Sequence, residues 1–150
     1  MRPNVRGSSG YGQQFRYANY GDWGGGDFRD LMYGVDHLIN LGVADADRLG
    51  IMGWSYGGFW DKPEAYRAHA AMFQVKGVTT PTLIQHGERD ERVPLSQGQE
   101  LYNALKRQGC ETKMVVYPRT PHGIEEPRLL LDCMNRNLEW FESHIAVTGK

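Results

Sequence analysis

The sequence predicts an α/β layer protein, a parallel sheet flanked by helices, and three observations carry that reading. The runs "RLGIMGW", "PTLIQHG" and "TKMVVYP" are apolar, bounded by turn residues and too short for independent helices. Longer segments with apolar residues every three or four positions alternate with these runs. No internal repeat, low-complexity linker or run of like charge interrupts the 150 residues. A single domain over 1–150 with right-handed crossovers is therefore expected.

The elements follow in order. "PNVRG" is only a strand stub. Asp27 is the expected cap of the first helix, with Asp30 three residues on, Leu31, Val35, Leu38 and Ile39 as the apolar stripe, and Gly42 as the stop. The strand Arg48–Trp54 runs into "SYGG". A helix started at Ser55 meets Pro63 on its third turn, and proline there costs about 3 kcal/mol. A break near Trp60 is expected instead, followed by a new helix capped by Asp61 with Glu64 three residues on. Ala65, Ala68, Met72 and Phe73 are its inner positions.

After the strand at 81–87, Ser96 and Gln99 read as a capping box. Leu101 and Leu105 face inward, and Gly109 ends the helix. The strand at 112–118 leads to a last helix opening at Pro127. Leu130, Met134, Leu138, Phe141 and Ile145 recur along one of its faces.

Charge and composition exclude some roles. Seventeen basic and 18 acidic residues leave a net charge of −1, so nucleic acid and anionic membranes are poor partners. No apolar run approaches the ~18 residues of a membrane span, and "MRPNVRGSSG" lacks the apolar core of a signal peptide. A soluble, cytoplasmic chain is expected. Cys110 and Cys133 have no metal-ligand spacing and read as reduced, helix-borne thiols. No His-Glu-x-x-His or Cys/His cluster exists, so no metal is expected. "GSSGYG" and "GDWGGGD" lack the Lys-Ser/Thr ending of a phosphate loop and read as loops.

"GWSYG" matches Gly-x-Ser-x-Gly at Gly53, Ser55 and Gly57. With 19 glycines and five serines, chance alone gives ~0.08 such motifs per chain of this length. Its place after an apolar run is that of a nucleophile elbow, where a strained turn exposes the serine hydroxyl. "LIQHGERDERVP" puts Asp90, with Glu88 and Glu91 as rivals, after the next strand. "VVYPRTPHGIEEP" puts His122 after the strand beyond, and His86 is the rival base. All lie at the carboxyl ends of strands, where open α/β sheets bind ligands. Ser55 needs a base to take its proton. His122 fits that role, Asp90 would orient the imidazole, and the Tyr56 N–H would face the oxyanion.

The pieces "NVRGSSGYGQQF", "YGDWGGGDFRDLMYGVDHLI", "ADADRLGIMGWSYGGF", "PTLIQHGERDERVPLSQGQELYNALKRQG" and "MVVYPRTPHGI" resemble the catalytic domain of the prolyl oligopeptidase family. The likeness is to its dipeptidyl aminopeptidase and acylaminoacyl-peptidase branch, and it covers most of the chain in the family's order. It implies a shortened α/β-hydrolase-like sheet with nucleophile Ser55, acid Asp90 and base His122. It also implies hydrolysis of peptide, acyl-amino-acid or ester bonds without a cofactor.

Against the family pattern, the N-terminal strands and their oxyanion loop are missing. One strand–helix unit is missing where the segments abut at Phe59–Trp60. Unpaired edges and bare helix faces left by such deletions predict a homodimer or larger assembly, with exchanged elements as one route. Two functions are consistent with this pattern. One is a hydrolase acting on small acyl esters; the other is a catalytically impaired fragment serving only in binding or assembly.

Overall fold

In the computed structural model, the described residues are 1–54, 67 and 71–145. They fall into two compact units, Met1–Phe73 and Gln74–Lys150.

The first unit opens with two helices, α1 (Gln13–Tyr17) and α2 (Gly26–Asn40). The sequence missed α1, a single short turn whose backbone is anchored where Gly7 N–H donates to the Phe15 carbonyl at 2.9 Å. At α2 the expected cap is corrected. Asp27 already lies within the first turn, and the N-cap is Gly25. The carboxylate that meets the helix start is Asp22, which accepts from Gly26 N–H at 2.8 Å. Asp30 closes no capping box. It binds Arg6 instead, accepting from the backbone N–H at 3.0 Å, from Nε at 2.8 Å and from Nη2 at 2.6 Å. That fork ties the N-terminal segment to α2. The helix ends as expected at Gly42, whose φ of +70° suits a residue without a Cβ. Gly42 N–H reaches the Ile39 carbonyl and Val43 N–H the Leu38 carbonyl, both at 2.9 Å.

The strand expected at Arg48–Trp54 does not form. Leu49, Ile51, Met52 and Trp54 are all at least half exposed. A strand needs a neighbour to exchange hydrogen bonds with, and the ladder among the described residues joins two other strands. The stub at Pro3–Gly7 is likewise no strand. Most of the helix expected beyond Asp61 lies outside the described residues. Its end is α3 (Ala71–Gln74), where Phe73, expected to face inward, is exposed.

The second unit is a β–α–β crossover followed by a helix. β1 (Thr82–Gly87) and β2 (Thr112–Tyr117) pair in parallel, in register from Thr82 opposite Thr112 to Gly87 opposite Tyr117. α4 (Leu95–Arg107) links them and packs on both. It begins one residue before Ser96, with Pro94 as N-cap and no side chain closing the first turn. Ser96 and Gln99 therefore sit too far into the helix to form the expected box. Its end follows the pattern of α2: Gly109 has φ +80°, and Cys110 N–H returns to the Leu105 carbonyl at 3.1 Å. Cys110 thus lies just past a helix rather than on one. Its buried thiol donates to the Thr80 carbonyl at 3.0 Å.

α5 (Pro127–His144) starts with proline in its first turn, as expected. Its orientation differs from expectation. Cys133 is buried with Tyr117 and Ile124, and Leu129 and Val115 pack against that cluster. Leu130, Met134 and Leu138, expected to face inward, are exposed together with Leu131. The helix carries two overlapping apolar stripes, and the sheet takes the one through Leu129 and Cys133. A half-buried polar network favours that choice. The Tyr117 hydroxyl lies 2.6 Å from Gln85 Oε1 and 3.1 Å from Asp132 Oδ2, while Gln85 Nε2 donates to Asn137 Oδ1 at 2.8 Å. Turning the helix to bury Leu130 would break these bonds.

Candidate active site

The two loops at the carboxyl ends of β1 and β2 are laced together by backbone hydrogen bonds. Glu88 N–H donates to the Tyr117 carbonyl and Arg89 N–H to the Thr120 carbonyl, each at 2.9 Å. Arg119, held in the left-handed region at φ +59°, donates its N–H to Glu88 Oε2 at 2.8 Å. Gly87 permits the close approach. A Cβ there would run into the carbonyl oxygens of Thr120 and Pro121, so the segment leading to His122 lies directly on the end of β1.

This packing brings Asp90 and His122 together. His122 Nδ1 lies 2.8 Å from Asp90 Oδ2, and their side chains are 21% and 6% exposed. A carboxylate only accepts, so Nδ1 carries the proton and Nε2 is the nitrogen through which the ring can accept one. Asp90 Oδ1 accepts from the N–H groups of Arg92 and Val93, both at 2.9 Å. Burial pushes the Asp90 carboxyl upward. The bonds from Val93, His122 and Arg92 outweigh it, and the group sits below its ordinary 3.8. The carboxylate therefore stays ionised and acceptor-only at neutral pH.

The rivals have other partners. Glu88 takes the Arg119 N–H, and Glu91 is exposed. His86 is nearly buried at the end of β1, with Nε2 2.8 Å from the Val93 carbonyl and 3.6 Å from Asp90 Oδ2. Gly53 is described and lies outside any strand, and a Cβ on it would meet no atom within 4 Å among the described residues. Ser55, Tyr56 and Gly57 lie outside the described residues. The sequence reading missed Gly87 and the backbone of Val93. The second had a signal: an aspartate two and three residues before its N–H donors is the signature of an Asx-turn.

Asp90 can thus orient the His122 imidazole at the carboxyl ends of the strands and stabilise its charged form, the arrangement a nucleophilic hydrolase would need for its acid and base. Among the described residues no group of three or more His, Cys, Asp or Glu could hold a metal, and no helix is long and apolar enough to cross a membrane.

Comparison with known proteins places the chain in a family. The sequence matches the prolyl oligopeptidase family over residues 1–60 and 59–148. The two pieces meet at Phe59–Trp60, the junction singled out in the sequence. The chain is 34% identical to an uncharacterized peptidase of Bacillus subtilis over 95% of its own length and 29% of that protein's. It is 28% identical to the acylamino-acid-releasing enzyme of Arabidopsis thaliana, covering 94% of this chain and 26% of that enzyme. Among solved structures, the Pyrococcus horikoshii acylaminoacyl peptidase superposes with a TM-score of 0.88 at 26% identity. That match covers 98% of this chain and 32% of the other. The chain thus spans less than a third of the length of each of these relatives, and the shared fold is that of α/β-hydrolase peptidases.

Proposed function

The chain belongs to the prolyl oligopeptidase family, and from that membership we propose that it is a serine hydrolase cleaving ester, peptide or acyl-amino-acid bonds through Ser55, His122 and Asp90. The observation that carries the reading is the 2.8 Å bond between His122 Nδ1 and the buried Asp90 carboxylate. In the proposed cycle, Ser55 Oγ attacks the substrate carbonyl carbon while its proton passes to His122 Nε2. The Tyr56 N–H stabilises the resulting oxyanion. Collapse expels the alcohol or amine, which takes the proton back from His122 and leaves an acyl-serine. Water then attacks the acyl carbon, giving a proton to His122; collapse frees the acid and Ser55 Oγ leaves, taking that proton back. Small acyl esters are the proposed best substrates. A good leaving group asks least of transition-state stabilisation, and no cofactor enters the cycle.

A fluorophosphonate probe tests this directly. Covalent labelling of the native chain that disappears in Ser55→Ala supports the reading. Absent labelling, or equal labelling of the variant, rejects it.

One observation favours a second reading, a chain that binds or assembles without cleaving. Ile51, Met52 and Trp54, which lead into Ser55, are exposed and form no strand, whereas an elbow stands on a strand end. The same labelling experiment separates the two. For either function we propose a homodimer or larger assembly, on the strength of the exposed apolar faces of both units.

A further inference from the structure

We propose that His86 is a positioning residue for the Asp90–His122 pair, gripping the loop that carries Asp90 through the carbonyl of Val93. The inference rests on the serine-hydrolase reading for its kinetic consequence, but its structural readout does not.

The grip has three links. His86 sits one residue before the end of β1, with its side chain 10% exposed. Its Nε2 is 2.8 Å from the Val93 carbonyl oxygen. A carbonyl cannot donate, so Nε2 carries a hydrogen and that bond sets the tautomer. Val93 is held on its other side as well, because its N–H donates to Asp90 Oδ1 at 2.9 Å. The second oxygen of Asp90 serves His122 at 2.8 Å. The rigid strand end, the loop, the carboxylate and the imidazole of His122 thus form one hydrogen-bonded series. The distance of 3.6 Å from His86 Nε2 to Asp90 Oδ2 is beyond a hydrogen bond, so His86 acts on Asp90 through Val93.

The seat for the ring is built by α4. Gly98 is buried inside that helix, where glycine weakens helical structure relative to alanine. A Cβ at Gly98 would fall 2.7 Å from His86 Nδ1 and 3.3 Å from the Met114 methyl. The glycine clears the space in which the imidazole reaches Val93.

Two amides test the assignment in the full chain. His86→Gln places an amide nitrogen about where Nε2 stands, while His86→Asn places one about where Nδ1 stands, a bond too short to reach Val93. The first readout is the low-field Nδ1–H resonance of His122, observed by proton NMR at a pH where the ring is protonated. It should persist in the Gln variant and broaden or vanish in the Asn variant. The second is turnover of a chromogenic acyl ester. kcat should fall by up to about a hundredfold in the Asn variant, the order that a slightly misplaced catalytic group costs. KM should change little, and the Gln variant should recover most of the loss. Equal resonances in the two variants, or failure of Gln to keep the signal, overturn the proposal. If the native chain turns over no ester, the hydrolase reading fails while the resonance comparison still decides the role of His86.

Discussion

His122 Nδ1 and Asp90 Oδ2 meet at 2.8 Å across 32 residues of chain, because two strand-end loops are tied to each other before either side chain is considered. The consequence is sharpest for Asp90→Asn. An amide in this place can turn its nitrogen toward His122 and favour the tautomer with the proton on Nε2, the nitrogen that must accept from serine. In a serine–histidine–aspartate site that exchange lowers kcat on the order of 10⁴-fold with the geometry intact. Ester turnover by Asp90→Asn should fall to that extent while its thermal unfolding stays cooperative. A loss smaller than tenfold would contradict the role given to Asp90.

Gly87→Ala addresses the loops themselves. Its Cβ would meet two backbone carbonyl oxygens, those of Thr120 and Pro121, and neither can swing aside as a side chain can. Overpacking of this kind typically costs about 1–3 kcal/mol. Gly87→Ala should lower the midpoint of thermal unfolding and weaken the low-field His122 resonance together. An unchanged resonance would show that the His122 loop finds its place without close packing on β1.

These sites also show what was legible in the sequence. Asp90 and His122 were legible because each follows a short apolar run, and parallel strands put such loops on one edge. The ends of α2 and α4 were legible because Gly42 and Gly109 leave few alternatives to a left-handed stop. Asp27 and Ser96 were misread because a capping residue is defined by where the backbone leaves helical angles, and Gly25 and Pro94 move that point upstream. The face of α5 was hidden for a different reason. Its apolar periodicity supports two stripes, and the choice is made by polar partners, Tyr117, Gln85, Asp132 and Asn137, that a hydrophobic pattern does not register. Arg48–Trp54 has the apolar composition of a strand and forms none. Pairing depends on a neighbouring strand, which no local stretch encodes.

The Arg6–Asp30 fork predicts acid sensitivity in the first unit. Hydrogen bonds from the Arg6 side chain and N–H hold the Asp30 carboxyl at about 2, against its ordinary 3.8. A carboxyl whose value is lowered on folding contributes stability that is complete above the unfolded value and is lost as pH falls through the folded one. The contribution should thus be full above about pH 5 and gone near pH 1. Both side chains are a quarter to a third exposed, and solvent screening limits the gain to about 1 kcal/mol. Asp30→Asn should be less stable than the native chain at pH 6 by about that amount and indistinguishable from it near pH 1, in denaturant titrations at the two values. A difference that persists near pH 1 would mean that packing, not charge, accounts for the effect.

The exposed stripe of α5 bears on assembly. Leu130, Leu131, Met134 and Leu138 are 43%, 58%, 60% and 58% exposed, and the spacing of four residues keeps three of them on one line of the helix. A fully buried side chain of this kind contributes about 1.5–3 kcal/mol, and these have roughly half of that left to gain. A two-fold contact uses the stripe twice, yet association costs at least about 4 kcal/mol before any net affinity remains. The balance points to a weak dimer, with Kd from roughly micromolar to millimolar. Sedimentation velocity should therefore show a mean mass that rises with concentration over that range. Leu131→Lys combined with Leu138→Lys should hold the chain monomeric with little change in thermal midpoint, since neither side chain is part of the core. A native chain that sediments as one monomeric species at every concentration, or a double variant that associates as the native chain does, would remove this face from the assembly.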